Sequence, residues 1–194
     1  YNAAYDKKLI ELSKKKKKKS KYKIILNVAR FEKQKNQLML LQSFNAIHKK
    51  INAKLMLVGY GSDETNLRKF IKINKLDSKV LLIKKPKNVF HYYHIADLFV
   101  LTSIYEGFGN VLVEAGTFKI PIISTNCKSG PKEILENGRF GDLVNIGDNK
   151  KLSKLIIKNL KKKNQNKISK MFKSLKKFNI KKHINEYEKI FKKI

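Results

Sequence analysis

The chain has 194 residues, of which 42% are hydrophobic, enough for one core with a flanking helical extension and too apolar for a disordered chain. Lys and Arg number 45 against 15 Asp and Glu, a formal charge of +30, which favours phosphate-rich or anionic partners over basic ones. No apolar run approaches the roughly 20 residues that span a bilayer, and the expectation is a cytoplasmic protein without a signal peptide.

In chain order, residues 1–20 read as a linker-like lead-in: a short helical pattern from Lys7 to Leu12, then a lysine run from Lys14 to Lys19 that no core could bury. The fold is expected to start after it. Tyr22 to Ala29 reads as the first core strand, and Asn36 to Lys50 as an amphipathic helix with Leu40, Leu41, Phe44 and Ile47 on one face. The alternation continues with a strand Ala53 to Val58, a helix Asp63 to Asn74, a strand Lys79 to Ile83 and a short helix Val89 to Tyr93. The continuous apolar run from Ile95 to Thr102 has the character of a buried parallel strand. A helix Asn110 to Phe118, a strand Ile120 to Ser124, a short helix Pro131 to Glu136 and an edge strand Gly141 to Val144 follow. Residues 149–194 read as two or three Lys-rich amphipathic helices anchored by Leu152, Leu155, Ile156, Leu160, Phe172, Leu175, Phe178, Tyr187 and Phe191.

This β–α order predicts an α/β fold, Rossmann-like, with a parallel sheet and helices on both faces. Three regions result: the segment 1–20, an α/β domain over 21–148, and a helical extension over 149–194 that packs on it. In such sheets a ligand lies outside the carboxyl ends of the strands. The loops there are Arg30 to Lys35, Gly59 to Ser62, Lys84 to Asn88, Ser103 to Asn110 and Thr125 to Pro131.

The stretch Glu106-Gly107-Phe108-Gly109-Asn110-Val111-Leu112-Val113-Glu114 is the most informative. Two carboxylates eight positions apart enclose a glycine turn that leads into a helix. Gly107 and Gly109 are expected to permit positive φ and close backbone approach, and the helix start at Asn110 offers unsatisfied N–H groups to an anion. Because carboxylates repel phosphate, Glu106 and Glu114 are expected to find neutral donors, such as sugar or ribose hydroxyls. The stretch therefore predicts a pocket for a ligand both phosphorylated and hydroxyl-rich, and the spacing suits a nucleotide sugar. Arg30 and Lys35 can both reach a diphosphate, one as a planar fork and the other as a compact charge, without a metal. Arginine is scarce, with only Arg30, Arg68 and Arg139 present, so its position directly after a core strand stands out.

Other features read as structural. Cys127 is the single cysteine and has no zinc or redox spacing around it, so it is expected to be a small buried residue. His91 and His94 lack a third ligand and belong to a helix packed on the sheet. Gly59-Tyr60-Gly61 lacks the rest of a dinucleotide fingerprint and reads as a turn lining the site. Leu112 and Val113 are expected in the core, and Glu133 near a helix start either complements its dipole or belongs to the site.

Taken together, these residues resemble the retaining, nucleotide-sugar-dependent glycosyltransferases of family 4, which have the two-domain GT-B fold. The resemblance covers roughly residues 22 to 148. It rests on Val28-Ala29-Arg30-Phe31 with Lys35, on Leu57-Val58-Gly59-Tyr60-Gly61, on Tyr93 to Ser103, on Glu106 to Glu114, and on Ser129-Gly130-Pro131-Lys132-Glu133-Ile134-Leu135, in that order. It implies that the chain is the C-terminal, donor-binding half of a GT-B fold, with an absent N-terminal domain that binds the acceptor. It further implies Arg30 and Lys35 on the diphosphate, Glu106 as the catalytic carboxylate at the transferred sugar, and Gly107, Phe108, Gly109 and Asn110 at sugar and phosphates. Val111 would lie near the nucleoside and Glu114 on the ribose hydroxyls, with Gly59 and Tyr60 also on the donor side. The implied reaction is transfer of a hexose or N-acetylhexosamine from a UDP-sugar, with retention and no metal or other cofactor, to a lipid-linked acceptor of polysaccharide, lipopolysaccharide or capsule synthesis. This fragment would be inactive alone.

Lys84 departs from the family pattern, which has a glycine there, so the loop Lys84 to Asn88 is expected to shape the base side differently. Two rival functions stand beside this reading: a basic module for membranes or RNA, and a GT-B nucleotide-sugar epimerase. The predominance of lysine over arginine and the lack of grouped exposed aromatics weigh against a specific nucleic acid. An anionic membrane surface, the inner face of the plasma membrane, remains a candidate partner.

Overall fold

The computed structural model describes residues 5, 7–14, 20–179, 184 and 191. Among them lies a six-stranded sheet in the order β3-β2-β1-β4-β5-β6, formed by β1 (Lys23–Val28), β2 (Ala53–Val58), β3 (Val80–Ile83), β4 (Leu98–Leu101), β5 (Ile122–Thr125) and β6 (Asp142–Val144). Every pairing is parallel, with Lys23 opposite Ala53 and Ile25 opposite Leu98 flanking the central strand. The chain runs outward from β1 to β2 and β3, then returns to the other side of β1 for β4. The carboxyl ends of β1 and β4 therefore enclose the topological switch point, where such sheets open a crevice.

The sheet is buried on both faces, which is why its strands are continuous apolar runs. On one face Ile25, Leu55, Leu57, Val100 and Ile123 pack under α2 (Gln37–Asn45), α3 (Glu64–Ile73) and α7 (Asn149–Lys161). On the other, Ile24, Leu26, Phe99 and Ile122 pack under α4 (Phe90–Ile95), α5 (Asn110–Thr117) and α8 (Gln165–Ser174). Helix α6 (Pro131–Ile134) joins this second layer through the fully buried Ile134. Asp148 caps α7 by accepting from Lys151 N at 2.9 Å, and Asn164 caps α8 by accepting from Lys167 N at 3.1 Å.

The structure differs from the sequence reading in three places. The short helical pattern at Lys7 to Leu12 forms a helix, α1 (Lys7–Ser13), but the segment read as linker-like packs on the domain: α1 lies against α5 with Leu9 buried, and Tyr5 is buried too and bridges to Asn179. Tyr5 and Leu9 are spaced to share one apolar side, and that outweighs the neighbouring lysines. Most of the run Lys14 to Lys19 lies outside the described residues, as does Tyr187. The helix expected over 36–50 begins at Gln37, because Asn36 adopts a left-handed conformation (φ 48°), and ends at Asn45 in a tight turn. The strand expected from Ile95 starts at Leu98: Ile95 closes α4, Ala96 turns extended, and buried Asp97 accepts the Ile24 N–H at 3.0 Å, locking β4 beside β1.

Candidate functional site

Five loops meet at the carboxyl edge of the sheet. The segment after β1 is a 3-10 turn, Lys33–Lys35, stitched to the loop after β4. Ile104 N donates to the Gln34 carbonyl at 2.8 Å, Gln34 Nε2 to the Tyr105 carbonyl at 2.9 Å, and Thr102 Oγ1 to the Lys35 carbonyl at 3.1 Å. These bonds bring together two side chains 71 residues apart: Lys35 Nζ donates to Glu106 Oε1 at 2.7 Å, with both side chains nearly buried at 13% and 9% exposure. Ser103 Oγ donates to the same oxygen at 2.6 Å, and Thr125 Oγ1 holds the Ser103 carbonyl at 2.6 Å. Glu106 therefore does not rest on neutral donors alone, as the sequence led one to expect. An ammonium is its first partner, because the switch point places the β1 and β4 loops side by side. The ammonium has three protons and uses one on this carboxylate.

A cleft of about 310 Å³ opens here, lined by Arg30, Lys35, Glu106, Phe108, Gly109 and Asn110 among others. Arg30 is exposed, and among the described residues its guanidinium has no carboxylate partner. Gln37 Nε2 holds the Arg30 carbonyl at 2.8 Å. A second cavity of about 400 Å³, lined by Gly59, Tyr60, Lys85, Pro86 and Val89, shares Val28, Ala29, Arg30 and Val111 with the first, so the two form one trough. Half-exposed Tyr60 lies under the Lys85 ammonium, 5.1 Å from the ring centroid. Lys84 pairs with Glu64 at 3.1 Å. Gly59 is required by the close pass of two strands: a Cβ there would lie 1.9 Å from the Ala29 carbonyl oxygen.

The glycine turn uses its two glycines differently. Gly109, at φ 93°, caps α5 with no side-chain hydrogen bond at the helix start, which leaves backbone N–H groups facing the cleft. Gly107 is not in the positive-φ region, contrary to expectation, and a Cβ there would meet no protein atom within 4 Å. Gly130, from the loop after β5, presses on the turn from behind, where a Cβ would be 2.3 Å from the Phe108 carbonyl oxygen. The Phe108 ring packs edge-on against Phe178, centroids 5.3 Å apart.

Glu114 stands one helical turn beyond Val111 on α5 and is not among the residues lining either cavity. Its Oε2 accepts from the Tyr93 hydroxyl at 2.7 Å, and burial raises its carboxyl above the usual range while that bond pulls the other way. Cys127 is buried, its thiol pushed up first by burial and then by the Glu106 charge. His94 packs edge-on against Phe118 at 4.9 Å, and among the described residues no three His, Cys, Asp or Glu side chains could hold a metal. No helix among them is long and apolar enough to cross a membrane. Leu112 and Val113 are fully buried. Ser103, Thr125, Gln37, Gly130 and Tyr93 support the site without having been assigned a role in it; Thr125, Gly130 and Tyr93 act through partners distant in sequence, Ser103 and Gln37 through nearby ones.

The sequence profile of the family described as glycosyl transferases group 1 matches residues 10–184. The chain belongs to that family. Its match begins within α1, so it reaches beyond the 22–148 stretch that carries the resemblance. Among curated relatives of this group 1 chain, an uncharacterized glycosyltransferase of Methanocaldococcus jannaschii is 37% identical over 113 residues, covering 58% of this chain and 28% of that protein. An N-acetylgalactosaminyltransferase of Campylobacter jejuni, named for a diphospho-undecaprenol acceptor, is 34% identical over 126 residues, covering 65% and 34%. The group 1 chain thus spans about a third of the length of the curated relatives it matches. Its fold is that of solved GT-B glycosyltransferases. Anabaena HepE in complex with UDP superposes with a TM-score of 0.82 at 18% identity, covering 95% of this chain and 55% of that one. Staphylococcus aureus TarM, in a complex that includes UDP, gives 0.81 at 22% identity, covering 88% and 35%.

Proposed function

We propose that this group 1 chain is the C-terminal, donor-binding part of a glycosyltransferase that uses a UDP-sugar. The observation that carries the reading is the convergence, at the switch point of the sheet, of Arg30, Lys35, Glu106 and the uncapped start of α5 on one cleft. The Arg30 fork, without a carboxylate partner among the described residues, the two remaining protons of Lys35 and the α5 N–H groups together offer a diphosphate a positive, hydrogen-bonding bed. As the glycosidic bond to the diphosphate breaks, negative charge grows on the leaving oxygen, and the same donors stabilise it without a metal. Glu106, fixed by Lys35 and Ser103, lies beside Phe108 and Gly109, where the transferred hexose or N-acetylhexosamine is placed and the reaction proceeds with retention. The trough lined by Tyr60, Lys85, Pro86 and Val89 takes the nucleoside. The UDP in the HepE and TarM complexes supports the choice of base, and the acceptor in the Campylobacter relative's name supports a lipid-linked acceptor. Such an acceptor, together with the chain's own net charge of +30, fits peripheral association with an anionic inner membrane face.

The test is calorimetric titration of the chain with UDP, GDP and ADP, followed by a product assay on the longer protein containing it. Micromolar to millimolar UDP binding abolished by Arg30→Ala is the expected result. Failure of all three nucleotides to bind a folded chain at millimolar concentration would sink the reading, and epimerised rather than transferred sugar would redirect it.

A further inference from the structure

Tyr93 is almost fully buried, at 1% exposure, and packs among residues of the sheet and α5. Its ring is stacked on Phe99 (5.7 Å, 21°) and on Phe118 (5.4 Å, 23°), with Phe90 tilted against it at 6.4 Å. A phenylalanine would fill this aromatic layer equally well, so packing gives no reason for a hydroxyl there. Among the described residues the hydroxyl has one partner, Glu114 Oε2 at 2.7 Å. Glu114 projects from α5 one turn after Val111, which lines both halves of the trough. A carboxylate has about four acceptor positions, and the Tyr93 hydroxyl occupies one of them.

We propose that Tyr93 is a positioning residue for nucleotide recognition: held rigid by its aromatic layer, it clamps one oxygen of Glu114 so that the remaining acceptor positions meet the ribose hydroxyls. This rests on the donor-site reading above, and it adds a residue that acts through Glu114 and touches no ligand. The function assigned to Tyr93 is discrimination between ribose and a sugar lacking its hydroxyls. Burial and the Glu114 charge both push the phenol well above its ordinary range, so it remains a donor wherever the carboxylate is ionised.

The test measures binding of UDP and 2′,3′-dideoxy-UDP to the 194-residue chain, to Tyr93→Phe, to Glu114→Gln and to the double variant. The unaltered chain prefers UDP by about tenfold or more, the scale of hydrogen bonds to a charged group. Tyr93→Phe keeps the fold and the dideoxy affinity but loses roughly three- to tenfold in UDP affinity. The double variant matches Glu114→Gln, because Tyr93 has no effect without the carboxylate. Full ribose discrimination in Tyr93→Phe would overturn the proposal while leaving Glu114 its role. Absence of discrimination in the unaltered chain, or of any UDP binding, would overturn the donor-site reading and the proposal with it. If Tyr93→Phe does not fold, a ring-fluorinated tyrosine at position 93 alters donor strength alone, and unchanged discrimination there counts equally against the proposal.

Discussion

Two glycine substitutions separate what the fold needs at the donor turn from what a ligand needs. In Gly130→Ala the added carbon would lie 2.3 Å from the Phe108 carbonyl oxygen and 3.0 Å from that of Gly107, at φ 54° and ψ −84°. Both contacts are with backbone, so no side-chain rotation relieves them. Overpacking costs about 1–3 kcal/mol and the forced conformation a similar amount, giving a destabilisation of about 2–5 kcal/mol. For a chain of this size that lowers Tm by roughly 5–15 °C. Gly107→Ala meets no atom within 4 Å and is free of a positive φ, so its stability stays within about 0.5 kcal/mol of the original. Its methyl group adds bulk between Glu106 and Phe108, which both line the cleft where the donor is proposed to lie, and UDP affinity falls about tenfold, or ~1.4 kcal/mol. Thermal unfolding and calorimetry on the two variants give the comparison. Equal Tm losses would refute the account of how the turn is packed, and UDP affinity within twofold of the original in Gly107→Ala would refute close approach of the ligand to its backbone.

Glu114→Gln should raise stability near neutral pH while weakening UDP binding. Burial raises the folded-state pKa of Glu114, so as pH rises the unfolded carboxyl loses its proton first, and stability falls across the window between the two pKa values. The gain in Tm should be present near neutrality and vanish below the usual glutamate range; a gain independent of pH would contradict the assignment. Lys35→Ala, Glu106→Gln and their combination should show a coupling energy of about 1–3 kcal/mol in denaturant unfolding, whereas additivity would mean that the 2.7 Å contact is not maintained in solution. Asp97→Ala leaves the buried Ile24 N–H without its side-chain acceptor and should cost about 1–3 kcal/mol, measured by urea midpoint at unchanged m value.

The strands were legible because a parallel sheet covered on both faces demands unbroken apolar runs: Ile24 to Leu26 and Leu98 to Leu101 are almost fully buried whichever face they point to. The boundary at Ile95 was not, since the same apolar run spans the end of α4 and the start of β4, and the break is marked by extended Ala96 and by the tertiary hydrogen bonds between Ile24 and Asp97. The lysines around Tyr5 and Leu9 concealed the docking of α1 on the domain, because charge dominates a local reading while burial of two anchors decides the packing. At the site, the positions of Arg30 and Lys35 after a core strand could be read from residue order. The pairing of Lys35 with Glu106 and of Tyr93 with Glu114 could not, because each joins segments that only the strand order brings together.

The trough proposed for the donor takes part of its shape from main-chain atoms: a helix start without a side-chain cap, and a carbonyl that excludes a Cβ at Gly59. Main-chain geometry is indifferent to which side chains cover the outer surface. A site built this way can keep its shape beneath an outer face as lysine-rich as this one, at a charge of +30.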